Sequence, residues 1–186
     1  MKIAVYVGSF NPVHKGHIKV AKTVLKKLVD KVIIVPTLNY WDKNNLININ
    51  NRINMLKFYE TNNIIIDIKN NKYEYTYQVL RNIKKEYKNS EIYLIIGNDI
   101  LENFHKWKNI NEILKYNIIV IKRNNIDLNI YKQYEKYNFI YLDKVSKKEI
   151  SSTIVRKMIL ENNKEVLKYI DLKVYNYIKR NNLYIY

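Results

Sequence analysis

The chain has 186 residues, a formal net charge of +16, 47% hydrophobic residues and no cysteine. That length suits one α/β domain and falls short of two, while the missing cysteines exclude disulfides and thiolate zinc sites. The charge does not single out nucleic acid as a partner: Lys, Asn, Ile and Tyr abound while Ala and Gly are scarce, a bias expected of AT-rich coding, and the lysines are scattered along helix faces.

In chain order, residues 3–7 form a short β-branched apolar run that ends on Gly8 with Pro12 close behind, so a strand stops at a turn. From Lys15 onward Ile18, Ala21, Val24, Leu25 and Leu28 recur at helical spacing. Residues 31–36 read as a strand buried on both faces, and residues 37–51 as a polar loop. Residues 52–59 carry Ile53, Leu56 and Tyr59 at helical spacing, and residues 63–68 form a third strand. A helix starting near Thr76 carries Val79, Leu80, Ile83 and Tyr87, and residues 91–96 form a strand ending on Gly97. Two further strands follow at 117–122 and 138–142, then a tail of two helices over 151–184 opened by a Ser-Ser-Thr cap.

Strands alternating with helices predict an α/β fold: a doubly wound, Rossmann-like parallel sheet flanked by helices, one domain over residues 1–186 with a C-terminal helical tail. No apolar run reaches transmembrane length and no basic leader opens the chain, so the expected compartment is the cytoplasm, without a membrane partner. A homo-oligomer is left open.

Rare residues concentrate at the first turn. The chain holds 3 Gly, 2 Pro and 3 His, yet Gly8, Pro12, His14, Gly16 and His17 stand together. At such a junction the first helical N–H groups are expected to be unpaired and to attract an anion such as phosphate. Gly8 would admit a ligand close to the loop, and Gly16 would keep the first helical turn clear. Capping by the histidines is the plainer alternative. A second cluster, Ser151, Ser152 and Arg156, combines hydroxyls at a helix start with a guanidinium one turn on, a combination suited to phosphate. Three of the five serines, Ser9, Ser151 and Ser152, fall in these two clusters.

The string GSFNPVHKGH resembles the signature of the HxGH nucleotidyltransferases. IIGNDILENFHKW (95–107), YTYQVLRNIKKEY (75–87), ISSTIVRKMI (150–159) and VYNYIKRNNLY (174–184) are similar to successive blocks of the bacterial nicotinate-mononucleotide adenylyltransferases. The resemblance implies adenylyl transfer from ATP, with Mg²⁺, to nicotinate mononucleotide. It implies His14, His17 and Arg156 as catalytic residues. An ATP site would comprise Gly8, Ser9, Phe10, His14, Gly16, His17, Lys43, Gly97, Asp99, Ser151, Ser152 and Arg156. Nicotinate mononucleotide would meet Ser9, Phe10, Lys43, Thr76, Asp99 and Trp107, with Trp107 offering a flat face to the pyridine ring.

Some positions depart from the pattern. Lys43 is preceded by Tyr40, Trp41 and Asp42 where the family has Pro-Pro-His, Asn11 replaces a frequent Asp, and Gln78 stands where Asp is common. No protein-held metal is expected, since Mg²⁺ keeps waters and takes phosphate oxygens. Competing readings are an acceptor such as nicotinamide mononucleotide or phosphopantetheine, a basic RNA-binding protein, and a small metalloprotein using His14 and His17.

Overall fold

A computed structural model describes residues 1–38, 46–122, 128–143 and 150–185, with only the backbone described at 128 and 129. Six parallel strands form one sheet in the order β3-β2-β1-β4-β5-β6: β1 (Lys2–Gly8), β2 (Lys31–Pro36), β3 (Ile64–Ile66), β4 (Glu91–Gly97), β5 (Asn117–Ile121) and β6 (Phe139–Leu142). The chain winds outward from β1 to β3, then returns to place β4 on the other side of β1. Strand order therefore reverses between β1 and β4, and the carboxyl ends there, at Gly8 and Gly97, flank the crevice where such sheets take ligands.

Alternation along β1 sends its side chains to two separate cores. Ala4 and Tyr6 pack with α1 (Lys15–Lys27), α2 (Ile49–Lys57) and the C-terminal helices α7 (Ser152–Leu160) and α8 (Leu172–Arg180). Ile3 and Val5 face α3 (Thr76–Glu86), the short helices α4 (Leu101–Phe104) and α5 (Ile110–Ile113), and Tyr134 just beyond α6 (Leu128–Lys132). Both faces of the sheet are covered, which is why the strands read as continuous apolar runs.

The expected elements are present, with shifts at their ends. α2 begins at Ile49, three residues before the apolar spacing suggests, because Asn48 caps it by accepting from the Asn50 N–H at 2.8 Å. β3 is shorter than 63–68: the Asp67 carboxylate accepts from the Lys69 and Asn70 N–H groups and turns the chain away. The short helices α4, α5 and α6 have no counterpart in the sequence reading, since four or five residues are too few to display a 3.6-residue period.

Leu80 and Leu172 test this arrangement. Leu80, on the inner face of α3, is fully buried, whereas Leu172 is 60% exposed. Leu80→Ala is expected to lower the unfolding free energy by about 2–5 kcal/mol, and Leu172→Ala by under about 0.5 kcal/mol, both measured by urea denaturation.

Candidate active site

Residues 9–14 join β1 to α1 at the reversal point and turn sharply. Phe10 adopts a left-handed backbone (φ 46°), and the Asn11–Pro12 peptide is cis. A large residue in that region is strained by about 1–2 kcal/mol. Phe10 is held there by edge contacts to Tyr6 at 5.3 Å and His17 at 4.9 Å between ring centroids.

His14 and His17 close the start of α1 on each other. The His14 ring accepts from the His17 N–H, the His17 Nδ1 accepts from the His14 N–H, both at 3.3 Å, and the rings stack 3.6 Å apart. An imidazole whose Nδ1 accepts carries its proton on Nε2. Capping thus places each ring's proton on Nε2. The helix start is less open than its sequence suggests, because the Lys15 N–H donates to the Tyr169 carbonyl at 2.8 Å and the His17 N–H is taken by His14.

The glycines act through these rings. A methyl at Gly8 would meet the Phe10 ring at 3.2 Å, and one at Gly16 would meet His14 Cε1 and Nδ1 at 3.0 Å. Both positions make room for the chain's own aromatic side chains.

Side chains from distant elements hold the loop by its carbonyls. Arg156 donates through Nη1 to the Asn11 carbonyl at 2.7 Å, and the Ser152 hydroxyl donates to the Pro12 carbonyl at 3.0 Å. Ser151 caps α7, accepting from the Ile154 N–H at 3.2 Å. On the other side Arg52 Nη1 donates to the carbonyls of Ser9 and Thr37, each at 2.7 Å, and Nε donates to that of Ile47 at 3.2 Å. Asn11 Oδ1 accepts from the Tyr184 hydroxyl at 2.8 Å.

Beside Ser9 opens a cavity of about 640 Å³, lined by Gly8, Ser9, Thr37, Tyr75, Thr76, Trp107 and neighbouring side chains. Trp107 is braced edge-on by Phe104 at 5.0 Å. Thr76 is the first residue of α3, whose start is capped through Gln78, which accepts from the Tyr75 N–H at 3.1 Å.

The structure thus gathers Gly8, Ser9, Thr76 and Trp107 around one cavity. It gathers Phe10 and His14 of the adjoining loop, Gly16 and His17 of the first turn of α1, and Ser151, Ser152 and Arg156 of the start of α7. Gly97 ends β4, and Asp99 lies exposed in the short turn after it, Asn98–Ile100, on the same edge of the sheet. Lys43, with Tyr40, Trp41 and Asp42, lies outside the described residues.

Arg52 and Tyr184 escaped the sequence reading of the site. Arg52 sits in an amphipathic pattern that accounts for a helix without it; its signal is that only five arginines occur among 33 basic residues. Burial pulls the Arg52 pKa down from the ordinary arginine value, a trend opposed by Tyr184, yet guanidinium stays charged. Among the described residues no three or more His, Cys, Asp or Glu side chains converge as a metal cage, and no helix is long and apolar enough to cross a membrane.

The strand order reverses beside a loop whose two imidazoles cap α1, the place where parallel sheets of this kind take ligands. In keeping with that geometry, residues 5–158 match the cytidylyltransferase-like family model, and the chain is a nucleotidyltransferase of that class. It is 38% identical to the probable nicotinate-nucleotide adenylyltransferase of Borrelia garinii subsp. bavariensis, covering 100% of this chain and 95% of that protein. It is 35% identical to the protein of the same name from Clostridium perfringens strain 13, covering 98% of each. The chain belongs to the nicotinate-nucleotide adenylyltransferase family. Its fold is also that of the Plasmodium falciparum nicotinic acid mononucleotide adenylyltransferase complexed with NaAD, with a TM-score of 0.81 and 24% identity over 98% of this chain and 97% of that one.

Gly16→Ala tests the coupling between helix start and imidazole. The added methyl would press on His14 at 3.0 Å and displace its ring by a few tenths of an ångström. Because alanine also favours the helix by about 1 kcal/mol, thermal stability is expected to hold while kcat falls about tenfold. Steady-state kinetics beside a melting curve read both.

Proposed function

We propose that this protein transfers the adenylyl group of ATP to nicotinate mononucleotide, giving nicotinate adenine dinucleotide and pyrophosphate. The observation that carries the reading is the meeting of two unlike sites at Ser9. On one side stands an imidazole pair fixed as Nε2–H donors, on the other a largely apolar cavity with Trp107 in its wall. A molecule with phosphate at one end and a flat heteroaromatic ring at the other suits that junction, and the relatives' names agree with it. Residues 1–186 are read as one domain acting in the cytoplasm.

In this mechanism a phosphate oxygen of the mononucleotide attacks the α-phosphorus of ATP in line. The new O–P bond forms as the bond from the α-phosphorus to the bridging oxygen breaks, and pyrophosphate leaves with that electron pair. An ionised phosphate is already a nucleophile, so no side-chain base is needed, and catalysis is positioning plus relief of developing charge. His14 and His17 donate from Nε2 to the triphosphate. Arg156, with Ser151 and Ser152 at the start of α7, lies across the loop from them and neutralises the departing pyrophosphate. Ser9, Phe10 and Gly8 shape the passage between the two ends, Gly97 and Asp99 receive a ribose, and Lys43 joins from the 37–51 connection. Thr76 and Trp107 hold the pyridine ring. Mg²⁺ enters as part of the ATP substrate, bound by phosphate and water oxygens.

Pyrophosphate release with ATP and Mg²⁺ tests the reading, with nicotinate mononucleotide, nicotinamide mononucleotide and phosphopantetheine offered in parallel. Turnover preferring the nicotinate acceptor is expected; turnover with phosphopantetheine alone overturns the assignment. His17→Ala is expected to lower kcat by about 10²–10³-fold while ATP binding, followed by calorimetry, persists. Trp107→Ala removes the stacking face, so the KM for the mononucleotide is expected to rise about fivefold to tenfold with the KM for ATP unchanged.

A further inference from the structure

Arg52 has no exposed surface, and no carboxylate pairs with it among the described residues. Its Nη1 and Nε are committed to the carbonyls of Ser9, Thr37 and Ile47, while Nη2 has no hydrogen-bond partner there. The three carbonyl bonds account for the planar fork. The charge is a separate matter, because a buried cation is costly unless an anion lies near it.

Its placement supplies a reason. Two of the three carbonyls that Arg52 holds belong to Ser9 and Thr37, which line the cavity, and Ser9 is also the first residue of the loop that leads to the histidines, so the guanidinium lies behind the junction of the two. The Thr37 N–H in turn donates to the Gly8 carbonyl at 2.9 Å, tying the end of β2 to the end of β1. A charge screened from water acts across a short stretch of protein far more strongly than a surface lysine does.

We propose that Arg52 is a positioning residue for the phosphate end of the site: its fork sets the ends of β1 and β2 in register, and its charge, which no carboxylate among the described residues offsets, is balanced by the phosphate anion that the loop receives. The inference rests on the adenylyl-transfer reading and adds two separable roles to it, charge and geometry. An ammonium could keep the first while losing the second, since it lacks the planar fork that reaches two carbonyls from one nitrogen and a third from another.

The test compares Arg52→Gln and Arg52→Lys with the unaltered protein. It reads pyrophosphate affinity by calorimetry, kcat by pyrophosphate release, and folding by circular dichroism. Arg52→Gln is expected to weaken pyrophosphate binding about tenfold at temperatures where it is folded. Folded Arg52→Gln with unchanged affinity overturns the proposal and leaves Arg52 a structural clamp.

Arg52→Lys is expected to keep pyrophosphate affinity within about threefold while kcat falls about tenfold or more. This variant decides the matter when Arg52→Gln does not fold. A tenfold loss of affinity in Arg52→Lys overturns the charge role, and an unchanged kcat overturns the positioning role. The unaltered protein separates the two levels. Absence of turnover with nicotinate mononucleotide while pyrophosphate still binds overturns the functional reading, whereas normal turnover with an insensitive Arg52→Gln overturns this inference alone.

Discussion

A loop that leaves the end of a parallel strand and enters a helix six residues later cannot satisfy its own carbonyls. Here those carbonyls are captured by side chains from far along the chain: Ser9 by Arg52, Asn11 by Arg156 and Pro12 by Ser152, at separations of 43, 145 and 140 residues. The two arginines hold different carbonyls of the loop, one from α2 and one from α7. In a chain dominated by lysine, arginine stands where a planar fork is needed. The phosphate end of the site therefore exists only when the first and last thirds of the sequence have come together.

That dependence ties the C-terminal helices to function. α7 and α8 pack on the same face of the sheet as α1, through Val155, Ile159, Val174 and Ile178. Their burial presents the Tyr169 carbonyl to the first N–H of α1 and the Tyr184 hydroxyl to Asn11. The tail is a structural arm of the loop, since these bonds pair a backbone N–H of α1 and a buried side chain of the loop with groups from the C-terminal helices.

Capping orients the histidine pair. By accepting backbone N–H groups through Nδ1, His14 and His17 fix both their ring planes and their tautomers at the start of α1. The apolar cavity at Trp107 is positioned independently, by α3 and the short helices after β4, and meets the loop at Ser9. Two elements on opposite faces of the sheet thus supply the two ends of one substrate-binding surface.

Much of this was legible in the sequence. Five-residue β-branched runs and helical spacing gave the six strands and the longer helices, because burial on both faces of a parallel sheet forces continuous apolar stretches. The glycine, histidine and serine clusters marked the loop and the start of α7, because those residue types are scarce in this chain and their backbone and capping roles are local. What only the tertiary structure decided is how the loop is held and what its glycines clear. Arg52 was indistinguishable from a solvated helix residue until its three carbonyl partners, from two other segments and from just ahead of α2, came within reach. Gly8 and Gly16 likewise make room for Phe10 and His14 of the same chain, a fact of ring placement. Local pattern records which face is buried; contacts between residues forty or a hundred and forty positions apart leave no periodic trace, and those contacts shape the site.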